Sequence, residues 1–143
     1  MSLRERIEAA FKAYLESVGL TGVYTGLGNF NVQYPAIVCT FLGAEEIHKQ
    51  AFTFRISVLV TLVSAADPET DKNAKANHDR IFNQIVEALE FDNLADLIET
   101  NGIDLRVNGV EAIGEQQPDL ETDENEKPVF SSGYEVTIIA GHI

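Results

Sequence analysis

The chain has 143 residues, of which 45% are hydrophobic, and its 23 acidic against 10 basic side chains give a formal charge of −13. One domain of that length buries roughly 68–70% of the surface of its unfolded chain, so one domain over residues 1–143 with a real core is expected. Such a charge leaves no basic patch to neutralise phosphates, which argues against specific nucleic-acid binding, and no apolar run approaches the ~20 residues of a membrane-spanning helix.

Met1 to Arg6 contains no apolar stretch suited to a secretory signal, and the expected compartment is the cytoplasm. The single Cys39 precludes an internal disulfide; in its apolar strand it reads as a buried, inert thiol. Acid is concentrated in Glu87, Glu90, Asp92, Asp96, Glu99 and Asp104, and again from Glu115 to Glu126. Solubility is the plain account of both stretches.

In chain order, Ser2 and Glu5 fit a capping box. Ile7, Ala10, Phe11, Tyr14, Leu15 and Val18 then follow the spacing of an amphipathic helix, closed by Gly19 in the left-handed conformation. Residues 20–34, with Gly22, Gly26, Gly28, Asn29 and Asn31, read as a loop. Its Gly26-Leu27-Gly28 lacks the preceding strand, following helix and lysine of a phosphate cradle. Pro35 opens a strand running to Leu42, and residues 43–50 read as a polar connection.

Residues 52–64 carry the plainest signal in the chain. Phe52, Phe54, Ile56, Val58, Val60 and Leu62 alternate with Thr53, Arg55, Ser57, Leu59, Thr61 and Val63, which predicts a long strand with one core face and one mixed face. A turn at Asp67-Pro68 leads to a helix over residues 72–90 with Ile81, Phe82, Ile85, Ala88 and Leu89 inward. A short third helix around Leu94, Leu97 and Ile98 follows, ending at Asn101-Gly102. Asn108-Gly109 signals either a hairpin or a bulge between short strands. Residues 114–128 read as an acidic loop, and Tyr134 to Ala140 as the closing strand. The expected class is α+β: a mostly antiparallel sheet of four to five strands with two to three helices packed on one face.

No catalytic, cofactor or metal constellation emerges. His48, His78 and His142 share no spacing with an acid or thiol and read as surface residues. Asp119 to Asp123 begins like a calcium loop, but Glu124 and Phe130 stand where glycine and a bidentate acid are needed. The mixed face of the long strand does ask for explanation. Arg55, Leu59 and Val63 lie there, Val129 and Phe130 stand in a loop, and together they are the candidate contact surface for other subunits. Scattered exposed apolar residues are the plain alternative.

Residues 34–42, a short acidic connection, and residues 52–63 resemble the tail-terminator (tail-completion) proteins of long-tailed bacteriophages. The first helix, the Asp67-Pro68 turn, the helix around Arg80 to Leu89 and the closing strand from Tyr134 to Ile138 fall in that family's order. The resemblance covers most of the chain through element order and hydrophobic pattern. It implies a non-enzymatic protein without cofactor that forms a ring, typically a hexamer, at the end of the tail tube. Its partners would be copies of itself, the tail-tube protein and the head-tail connector protein; it would stop tube growth, present the head-joining surface, and reside in the virion tail after assembly in the bacterial cytoplasm. Acidic walls would suit a conduit for DNA. Residues 20–34, 66–76 and 114–131 are the expected contact loops. The alternatives are another phage neck or connector protein, a regulatory domain binding a small molecule between sheet and helices, and a hydrolase using paired surface acids.

Overall fold

The period-two segment around Val58 forms the middle of the molecule because its Ile56, Val58, Val60 and Leu62 side chains can leave water only if something covers that face. The computed structural model describes residues 3–26, 34–48, 53–65, 73–89, 105–115, 119–122 and 128–142. The elements are α1 (Leu3–Ser17), β1 (Val23–Thr25), β2 (Ala36–His48), β3 (Thr53–Ala65), α2 (Ala74–Ala88), β4 (Leu105–Glu115), β5 (Asp119–Thr122) and β6 (Pro128–His142). Six strands form one sheet in the order β1-β2-β3-β6-β4, with β5 also paired to β6. The class is α+β.

Four residues of β3 face one core with Ile37 and Cys39 of β2 and Val136 and Ile138 of β6, all at most 1% exposed. Both described helices cover this inner face. α1 contributes Ile7, Phe11, Tyr14 and Leu15; α2 contributes Phe82, Ile85 and Ala88. The Tyr14 hydroxyl donates to the Ala88 carbonyl, one of the last-turn acceptors that α2 cannot satisfy itself. That bond ties the helices together beneath the sheet.

α1 ends as its sequence predicts. Gly19 has φ 96°, its N–H donates to the Glu16 carbonyl at 3.1 Å, and the Leu20 N–H reaches the Leu15 carbonyl at 3.1 Å. This paired arrangement buries Leu20 against the helix it terminates. Val18, assigned by periodicity to the apolar stripe, is instead 47% exposed, because the helix stops one residue before it.

The sheet departs from expectation in particular places. It is mixed rather than mostly antiparallel, and among the described residues it has six strands where four to five were expected. β1 lies within the segment read as a loop and pairs parallel to β2, Val23 beside Ile37 and Thr25 beside Cys39. Gly22 permits this approach: its φ is 70°, its carbonyl accepts from the Ile37 N–H at 2.9 Å, and a Cβ there would lie 2.6 Å from the Pro35 oxygen. β2 continues to His48 through the residues read as a polar connection. The acidic segment read as a loop contains β5 and the end of β4. At Asn108-Gly109 the register with β6 shifts inside a continuous β4, so the dipeptide marks a bulge, not a hairpin turn. The capping residue Ser2, the Asp67-Pro68 turn and the third helix around Leu94 lie outside the described residues.

The two faces of β3 differ in a measurable way. Leu62→Ala should lower stability by ~2–5 kcal/mol, whereas Leu59→Ala on the opposite, half-exposed face should cost about 1 kcal/mol or less. Urea denaturation of the two variants checks this; equal losses would contradict the assignment of faces.

Candidate assembly surface

The outer face of the sheet is built from the alternate positions of the same strands. Val38 and Thr40 of β2 stand beside Thr61 and Leu59 of β3, and Ser57 and Leu59 stand beside Thr137 and Glu135 of β6. Val38, Thr40, Ser57, Leu59, Thr61 and Val63 are all half-buried, and none is charged. Charge enters the face at Glu135 of β6, beside Leu59, and again where the face ends. Arg55 meets Glu45 at 4.0 Å, both side chains well exposed, so the pair adds little to stability.

A register shift between Phe41 and Gly43 makes a bulge in β2, leaving Leu42 unpaired and 50% exposed. Leu42, Arg55, Ser57 and Glu135 border an open cleft of about 300 Å³ on this side. The sequence reading passed over Leu42. The available signal was Gly43, since a glycine inside an alternating apolar run marks a bulge.

Of the residues expected at the contact surface, the structure brings Arg55, Leu59 and Val63 onto one face. Val129 and Phe130 do not join them in a loop: both belong to β6. Val129 is 3% exposed beside Ala65 and Glu121. Phe130 is half-buried, its ring centroid 5.8 Å from that of His78 beneath the sheet. The alternation of β6 accounts for this, because Phe130 shares the inward parity of Val136 and Ile138.

His78 also overturns its sequence reading as a surface residue. It occupies the inward stripe of α2 with Ala74, Phe82 and Ile85 and is fully buried. Its Nδ1 lies 2.6 Å from Ser64 Oγ of β3, and its Nε2 lies 2.8 Å from Ser132 Oγ of β6. A neutral ring can donate at one nitrogen and accept at the other, so the two hydroxyls satisfy it completely. Burial pushes the His78 pKa below 6.5, with nearby Asp79 opposing. Beside it an open cleft of about 320 Å³ is bordered by Tyr34, Asn77, Arg80 and Ile81. Ser132 is 1% exposed and Ser64 is 7% exposed, so the cluster works as a brace between α2 and two strands.

Cys39 is buried, and its pKa is pushed up to about 12, by loss of water first and by the Glu8 charge second. It therefore stays a neutral thiol near neutral pH and is no nucleophile. Glu8 is itself buried; its Oε2 accepts from the Phe41 N–H at 2.9 Å and lies 3.7 Å from Arg4 Nε. The carboxylate thus closes the edge of β2 just past β1. Among the described residues, no group of three or more His, Cys, Asp and Glu is placed to hold a metal ion. Asp119, the first residue of the supposed calcium loop, starts strand β5. β1 does precede Gly26, but the rest of that glycine-rich stretch lies outside the described residues.

No protein-family model matches the chain, and no curated protein matches it.

The His78 brace makes stability depend on pH. Since the folded pKa is below 6.5, the unfolded chain takes up this proton first as pH falls. The brace contributes fully above that value and progressively less below it. Urea midpoints measured across this range should drop more for the native chain than for His78→Gln. Parallel pH profiles would contradict the assignment.

Proposed function

We propose that this chain is a structural protein of a phage or prophage tail that assembles with copies of itself into a ring, caps the tail tube and offers the surface for head joining. The observation that carries the reading is the outer sheet face. In a chain of charge −13, six neighbouring positions of β2 and β3 on that face are uncharged and half-buried, and both described helices lie on the other side. A partly apolar surface with few charges on an otherwise acidic protein suits contact with protein. The element order around the β2–β3 pair is also that of the tail terminators which the sequence resembles.

The mechanism is one of shape. A ring stops tube growth when one side matches the last tube layer and the other side cannot accept a further layer. The acidic balance disfavours retention of DNA passing through. Leu59 and Val63, with Leu42 and Arg55 at the end of the face, are the residues assigned to these contacts. The regulatory-domain alternative would place a ligand between sheet and helices. That space is occupied by Phe11, Tyr14, Phe82 and Ile85 packed on β3.

Added to polymerising subunits of the cognate tail tube, the protein should shorten the tubes and appear at one end of each in electron micrographs. A Leu59→Lys/Val63→Lys variant should lose capping by about tenfold or more while keeping its urea midpoint within about 1 kcal/mol of native stability. Tubes of unchanged length with the native protein would contradict the reading.

A further inference from the structure

We infer that the open cleft beside His78 binds a small organic acid, with the Arg80 guanidinium taking its carboxylate and the Ser64 hydroxyl donating to it. The site lies on the helix side of the sheet, away from the assembly face, and does not depend on the assembly reading.

Charge singles this cleft out. A chain of formal charge −13 repels anions as a whole, and the clefts bordered by Glu87 and by Glu45 with Glu135 carry acid of their own. No acidic residue lines the cleft beside His78, whereas Arg80 does. Arg80 is exposed and forms no ion pair among the described residues, in a chain with 23 acidic side chains. Asp79, its neighbour in sequence, is half-buried and does not line the cleft. A guanidinium presents paired N–H donors that match the two oxygens of a carboxylate.

The buried wall supplies a directed donor. Ser64 shares the inward parity of Leu62 and stands where β3 ends, so it meets both His78 and the cleft. A neutral His78 has two tautomers. In one of them the Ser132 hydroxyl donates to Nε2 and the Nδ1–H donates to Ser64 Oγ, which leaves the Ser64 hydrogen for an acceptor in the cleft. Each bond in such a chain polarises the next, and Ser132, at 1% exposure, holds the far end of it away from water. An anion in the cleft selects this tautomer.

The remaining lining fixes the kind of anion. Pro35, Ala65, Ala74 and Ile81 border the cleft with carbon, and its volume of about 320 Å³ falls at the small end of the roughly 300–1,000 Å³ usual for ligand sites. A carboxylate on a short apolar body covers those walls. Inorganic phosphate would meet the same donors and leave the carbon uncovered.

Titration of the full chain followed by amide chemical shifts tests this, with benzoate as the probe and inorganic phosphate as the comparison. Benzoate should shift the Ser64, Ala74, Arg80 and Ile81 amides saturably at ~1 mM, and phosphate should bind more weakly. Arg80→Gln should weaken benzoate binding by about tenfold or more, and Ser64→Ala by about fivefold. Lys75→Gln, which removes an exposed charge of α2 outside the cleft, should leave binding unchanged. The site assignment falls if benzoate gives no saturable shifts, if binding survives Arg80→Gln, if Lys75→Gln weakens it equally, or if phosphate binds as tightly as benzoate.

Discussion

Burial of a single face of β3 is the constraint from which the rest of the structure follows. Ile56, Val58, Val60 and Leu62 are at most 1% exposed, and burial of each such side chain is worth ~1.5–3 kcal/mol before entropy is counted. β2 and β6 flank β3 on either side and extend that apolar face. Two amphipathic helices then suffice to cover it. Both described helices lie on the same side, so neither covers the opposite face, and the proposed function begins there.

A few polar bonds decide how the helices sit on this layer. Tyr14 joins α1 to the end of α2, Glu8 joins α1 to the edge of β2, and His78 joins α2 to β3 and β6. No buried side-chain nitrogen or oxygen among the described residues lacks a partner. Apolar contact alone tolerates sliding, whereas a buried donor or acceptor left unpaired costs about 1–3 kcal/mol. These bonds therefore specify position more than they add stability. The helices are held against the inner face of the sheet.

What could be read from the residues followed from how strongly each position was constrained. β3 was legible because both of its faces obey one period over the whole strand. The close of α1 was legible because Gly19 can adopt the conformation that other residues avoid. β1 was hidden: Val23 to Thr25 are few residues between glycines, and they pair with a strand that comes later in the chain. The far half of β2 was hidden because its residues are polar, as suits positions near water at a sheet margin. His78 was misread by type. Its spacing with Ala74, Phe82 and Ile85 marked an inward position, and only its polarity argued otherwise. The contact face was half legible: Arg55, Leu59 and Val63 share it, but the parity of β6 turns Phe130 inward, and Val129 is buried.

Under the proposed function the molecule is an assembly part whose work is done by a sheet face with few charges. Its central claim is that the protein acts as one member of a closed set of identical copies. Native mass measurement of the protein recovered from capped tube ends tests this most directly. A single closed multiple of the 15.7 kDa chain is the predicted result, whereas one chain per tube end, or a ladder of multiples without closure, would contradict it.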